Sequence, residues 1–299
     1  MKPTEEIFAQ LYKWLDTQPE ARNDQEAQAQ VDQFIELYNA KILGPSCIDE
    51  TYDLLEQAQA ASTKAQKKRL LKKALDIDPT FTDAELLLIT TEAKNFQDAE
   101  PKLQALLEKE KQQLKKDGHF DKDCIGHFYG IFETRPYIRV HHSLLTGYIE
   151  IGEYQKAQQI AKEIIRLNNN DNLGVRYLLL GLYAHSCDKK AMNHLLEKYP
   201  DDFGAFWWLP QLIMAYKEKD NAAGQKLIHQ MRKENKYIIE YLRGKEHISD
   251  IDRAMTEYEG MYSHGSKNEA IFAIVDNTFA IPDPKKFSRW VDAMASTRT

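Results

Sequence analysis

Cysteine is scarce in this chain: Cys47, Cys124 and Cys187 are the only three in 299 residues, odd in number and far apart. With no C-x-x-C spacing among them, they speak against a disulfide framework and for a reducing compartment. Glycine and proline are also thin, thirteen and ten, too few to punctuate a many-stranded fold. No stretch approaches the ~18 consecutive apolar residues of a membrane span, and the opening MKPTEEIFAQ lacks the apolar core of a signal peptide. Missing too are the nucleophile elbow, the phosphate-gripping glycine loop, H-E-x-x-H and the dinucleotide fingerprint. These absences set the expectation of a soluble, cytoplasmic, non-enzymatic protein with no cofactor and no membrane partner.

What the chain has is helix formers and 42% hydrophobic side chains, enough to bury a substantial core. Its charge is uneven. The first fifty residues hold ten acids against four bases, which accounts for the whole net charge of −6. DNA binding through that end is not expected, because phosphate neutralisation needs clustered cations. One basic run exists, KAQKKRLLKK (64–73), with six cations on a predicted helix. A solvated helix face explains it, and a contact for RNA or an acidic partner is the alternative.

Apolar residues recur three and four apart through the middle of the chain, the helical period. Leu144, Leu145, Tyr148 and Ile151 form one stripe, and Ala157, Ile160, Ala161, Ile164 and Leu167 the next. The two are parted only by IGEY, a connection short enough to force an antiparallel pair. Val175, Leu178, Leu179 and Leu182, followed by Ala191, Leu195 and Tyr199, repeat the plan. Ala157 and Ala191 lie 34 residues apart, the tetratricopeptide (TPR) period. Residues 51–79 and 206–231 read as further pairs, the first closed by Asp78-Pro79, the second with Pro210 tolerable only in a first turn.

Capping chemistry predicts more helix ends. Ser266 with Glu269 forms a capping box, and Asp283 precedes Pro284, placing closing helices near 266–280 and 284–295. Gly118 ends a long helix that begins around Asp98. In NNNDNLG (168–174), Asn tolerates left-handed angles and Asp171 or Asn172 caps the next helix. The reading is an all-α fold, an α-solenoid of TPR-like antiparallel helix pairs in a right-handed superhelix. An acidic N-terminal helical cap (1–45), repeats (46–245) and closing helices (246–299) form one continuous array.

ETRPYIRV (133–140) and DNLGVRYLLLGL (171–182) resemble the paired signature of the suppression-of-tumorigenicity family and its bacterial relatives, and YEGMYSHGSKNEAIFAIVDNTFA is similar too. The resemblance spans roughly residues 120–280. It implies a helical-repeat protein without established enzymatic activity, with Glu133, Arg135, Tyr137, Asn172 and Tyr177 as motif residues. The hydrophobic spans of the animal members are missing from this chain. His141 stands where TPR repeats carry tryptophan, and Asn169 where they close with proline.

In TPR arrays the first helix of each pair lines a concave groove. Placing Ala157 and Ala191 at the same repeat position puts Arg139, His142, Thr146 and Ile149, then Leu173, Arg176, Leu180 and Tyr183, on that groove. Two arginines in one channel suit a protein or peptide partner that is acidic or presents a free C-terminus. They can equally pair with Glu133, Glu150 or helix-end carbonyls. Trp207 and Trp208 are adjacent on one helix, so one of them is partly exposed and can anchor a partner. The rival to the scaffold reading is a metal-dependent enzyme using His119, Cys124 and His127, a cluster that an ordinary polar loop leading into a helix also explains.

Overall fold

The computed structural model describes residues 4–43, 50–244 and 261–296. The expected domain limits near 45 and 245, and Cys47, lie outside the described residues. Among these, the chain forms fifteen α-helices and no strand, and no helix is long and apolar enough to cross a membrane. It divides into two compact units: Met1–Phe120 with Tyr129–Val140, and Asp121–Phe128 with His141–Thr299.

The first unit holds α1 (Thr4–Leu15), α2 (Asp24–Asn39), α3 (Glu50–Ala60), α4 (Lys64–Ile77), α5 (Thr82–Glu92), α6 (Phe96–Lys116) and the start of α7 (Arg135–Glu150). Helices α3 to α6 each pack on the next in sequence. Leu54, Leu55 and Ala58 of α3 meet Leu70, Leu71 and Ala74 of α4, and Phe81 and Ala84 close the cluster. Trp14 and Phe34 join α1 to α2 in a smaller core. Asn23, Thr63 and Asn95 start α2, α4 and α6 by accepting a backbone N–H two or three residues in. Helix α4 stops at Ile77, ahead of Asp78-Pro79 as expected, while α6 begins two residues before Asp98. Gly118, with φ +80°, closes α6.

The second unit continues with α8 (Tyr154–Leu167), α9 (Val175–Ser186), α10 (Lys189–Lys198), α11 (Ala205–Glu218), α12 (Asn221–Glu234), α13 (Ile238–Leu242), α14 (Lys267–Asn277) and α15 (Pro284–Ser296). One turn recurs at the end of α7, α9 and α11. The closing residue is left-handed: Gly152 (φ +78°), Cys187 (φ +58°) and Lys219 (φ +59°). Its N–H and the following one turn back onto carbonyls of the helix, Glu153 to Tyr148, Asp188 to Tyr183 and Asp220 to Ala215. The next residue then starts the second helix; Asp188 and Asp220 also cap it by side chain. One acidic residue thus ends one helix and begins another, which keeps each connection to two or three residues and each pair antiparallel.

These turns correct the register. Glu153, Asp188 and Asp220 stand 35 and 32 residues apart, so Ala157 is matched by Met192 and Gly224 rather than by Ala191. All three are buried, while Ala191 is half-exposed. Pro210 is also placed differently. It is the sixth residue of α11, past the first turn, so the Phe206 carbonyl lacks its usual donor. The chain bears this cost because α11 is buried on nearly every face.

Candidate functional site

The polar knot at 168–174 is a built turn. Asp171 (φ +47°) and Gly174 (φ +67°) take the left-handed angles expected of the asparagines. The buried Asp171 carboxylate accepts the Val175 and Arg176 N–H groups, both at 2.8 Å, and so caps α9 from four residues upstream. Asn172 is exposed. The 121–128 turn zips onto this knot through Gly126 and Phe128 N–H groups donated to the Leu167 carbonyl, before the chain runs on into α7. His127 is exposed and Cys124 half-buried, and among the described residues no three His, Cys, Asp or Glu side chains gather as a metal would require.

Both groove arginines are held by carboxylates. Arg139 makes a bidentate pair with Asp83 at 2.7 and 2.6 Å. Arg176 is clamped between Asp171, at 3.0 Å, and Asp202, and donates to the Tyr177 hydroxyl at 2.8 Å. The rings of Tyr177 and Tyr199 flank its guanidinium at 4.3 and 5.3 Å. Burial works against the Arg176 charge, but the Asp202 and Asp171 bonds outweigh it and raise its pKa. Tyr177 in turn donates to Asp202 at 3.0 Å. Asp202 thus joins α9 to the chain leading into α11.

The motif around 133–137 is likewise absorbed by packing. Arg135 donates to the Tyr129 carbonyl at 2.7 Å and stacks on Phe132 at 4.2 Å. Tyr137 is buried edge-on to Phe120, while Glu133 is exposed. Trp207 is buried and Trp208 is the half-exposed one of the pair, its indole N–H held by Glu234 at 2.7 Å.

The groove positions follow the corrected register. Counting back six residues from each left-handed helix end gives Thr146 on α7 and Gly181 on α9, where the 34-residue register pairs Thr146 with Leu180. A one-residue slip turns a helix by about 100°. Leu180 and Tyr183 therefore face the interior, 0% and 5% exposed, and offer a partner no surface. Leu173 is half-buried, and His142, half-buried too, has its pKa lowered by burial.

The α9 face at Gly181 is already occupied by the chain itself. Helix α14 packs on α11 and α9, and Asn277 and Phe279 lie so close to Gly181 that an added Cβ would come within 2.6 Å of Asn277 Oδ1. The segment is fixed at both ends. Ser266 caps α14 through the Glu269 N–H, and Glu269, 2% exposed, reaches the Ala205 and Gly265 N–H groups and Asn235 instead of closing a box on Ser266. At the other end, His185 Nδ1 donates to the Phe279 carbonyl at 3.1 Å and Tyr154 stacks on the Phe279 ring at 5.3 Å.

Beside Phe279 the face is open. A cleft of about 490 Å³ runs between the end of α7, α9 and the 275–279 segment. Ile149, Leu178, Val275 and Phe279 give it apolar walls, with the Tyr154 ring at one side. Its polar groups are Thr146 and Thr278 and two carboxylates, Glu150 and Asp276, with no cation among them. Asp276 meets solvent at the rim, yet desolvation by the surrounding protein pushes its pKa up from 3.8 to about 6. Of the sequence-predicted groove residues, the structure brings Thr146 and Ile149 together here. It also adds Asp276 and Phe279, whose only sequence signal is a lone acid and an aromatic inside the apolar run FAIVDNTFA. Comparison with family models, with curated proteins and with solved structures gave no match to this chain.

Proposed function

We propose that the protein is a non-enzymatic helical scaffold, a TPR-like α-solenoid, that binds a segment of a protein partner along the faces of its first helices. The supporting observation is that α9 and α11 already carry a polypeptide, the chain's own 267–280 segment, on that face, and that the same face of α7 continues as an open cleft. Helical arrays vary the lining of such a surface at little cost to the stack. The motifs resembling the suppression-of-tumorigenicity family fall on the turns and ion pairs that hold this array, which agrees with a scaffold role.

The ligand chemistry differs from the acidic partner suggested by the two arginines. Arg139 and Arg176 are spent on Asp83, Asp171 and Asp202. The open cleft presents Glu150 and Asp276 above apolar walls. It suits an extended segment in which a lysine or arginine lies next to a leucine-like side chain, the cation meeting the carboxylates and the apolar group meeting Ile149, Leu178 and Phe279.

Selection from a random peptide library on immobilised full-length protein tests this reading. The enriched peptides should include a class that pairs a basic residue with a large apolar one, and the affinity of that class should fall about tenfold in a Glu150→Gln/Asp276→Asn variant, one lost charged contact being worth about 1.4 kcal/mol or more. A selection that yields no basic-apolar peptide, or basic-apolar peptides that bind the variant equally, would overturn it.

A further inference from the structure

Helix α4 in the first unit carries its charges against its own backbone. The positive end of a helix dipole favours acids and the negative end favours bases. α2 obeys this with Asp24 and Glu26 in its first turn, and α6 with Asp98 at the start and Lys115 and Lys116 at the end. α4 reverses it. It has no acid in its first turn and no base in its last, begins at Lys64 and has Asp76 next to its final residue. Lys64, Lys68 and Lys72 stand four apart, as do Arg69 and Lys73, and like charges at that spacing repel.

Among the described residues of the first unit, little answers these cations. Lys68 and Lys72 share the single carboxylate of Glu92, at 3.8 and 4.0 Å, and Lys73 reaches Glu50 at 2.7 Å in a pair exposed on both sides. Exposed pairs of this kind contribute little. Arg69 is exposed and makes no ion pair among the described residues. Lys68, Arg69, Lys72 and Lys73, with Asp76 as the one carboxylate beside them, line a concavity of about 790 Å³ between α3 and α4, together with Leu54, Leu70 and, on its α3 side, Gln57.

We propose that this α3–α4 cleft is a docking site for an acidic peptide segment of a partner protein, independent of the cleft in the second unit. Arg69 is free to grip one carboxylate in bidentate fashion, and Lys68, Lys72 and Lys73 flank it for others. Leu54 and Leu70 provide an apolar footing between them. The geometry favours a peptide over nucleic acid. No aromatic ring lines the cleft to stack a base, and the four cations fall within two helical turns, too short a track for a duplex backbone.

The test is fluorescence anisotropy with full-length protein and three labelled probes: a twelve-residue peptide alternating glutamate and leucine, its lysine counterpart, and a twelve-nucleotide oligouridylate. The acidic peptide should bind, weaken at least tenfold between 50 and 300 mM salt, and weaken at least tenfold in a Lys68→Gln/Arg69→Gln/Lys72→Gln/Lys73→Gln variant. That variant should melt no lower than the unsubstituted protein, because the replaced charges repel one another. Arg69→Glu alone, at an exposed and unpaired position, should lose the peptide without disturbing the fold. Equal binding by the Arg69→Glu variant, or tighter binding of the oligouridylate than of the acidic peptide, would overturn the proposal.

Discussion

Replacing Gly181 with alanine tests the register and the self-docked segment together. The new methyl group would stand 2.6 Å from Asn277 Oδ1 and 3.1 Å from Phe279 Cζ. Asn277 has little room to yield. It is 2% exposed, its Nδ2 donates to the Ala273 carbonyl at 2.9 Å, and its Oδ1 is buried without a hydrogen-bond partner. Overpacking of this kind costs about 1–3 kcal/mol. Alanine in a helix interior returns up to about 1 kcal/mol relative to glycine. The balance is a loss of up to about 2 kcal/mol for Gly181→Ala in the native background. In an Asn277→Ala background the 2.6 Å contact is gone, and Gly181→Ala becomes neutral or stabilising by up to about 1 kcal/mol. Urea denaturation of the four proteins, followed by circular dichroism, gives the cycle; the expected coupling is about 2 kcal/mol. A Gly181→Ala protein more stable than the parent, or an additive cycle, would refute the reasoning.

Asp276→Asn should show a pH signature. A carboxyl whose pKa is raised from 3.8 to about 6 costs the folded state stability above pH 6, and that cost fades as pH falls through 6 towards 4. The variant should therefore be more stable than the parent at pH 8, by about 1 kcal/mol or less because the group is solvent-screened, and equal to it at pH 4, as thermal melts at the two pH values would show. Lys219→Gly relieves a left-handed lysine and should stabilise by about 0.5–1 kcal/mol after the glycine's greater unfolded freedom is counted, measured by the same melts. Asp171→Ala removes a buried carboxylate that caps α9 and pairs with Arg176, and should cost about 3 kcal/mol in denaturant unfolding.

The helices themselves were legible because their stripes and caps are local. Tyr154–Leu167 matches its apolar period end to end, and Ser266 and Asp283 start α14 and α15 as their side-chain chemistry demands. Register was not legible from Ala157 and Ala191, because the residues that set it, Cys187 and Lys219, are left-handed without being glycine. Nothing in their identity announces a helix end. The arginines were misread for a different reason. Arg139 and Arg176 look like ligand contacts until Asp83 and Asp202, 56 and 26 residues away, are brought beside them. Long-range pairing of this sort has no local signal. Asp276 was hidden likewise, since a single acid in an apolar run reads as a helix's wet side until desolvation by the folded chain is seen.

The central claim is that a partner segment lies on the first-helix face at the end of α7, and site-specific photo-crosslinking addresses it most directly. A photoreactive residue at Thr146 or Thr278 should capture a selected basic-apolar peptide, whereas one at His194, 88% exposed on α10, should not. Capture from His194 at equal yield, or from neither Thr146 nor Thr278, would contradict the account.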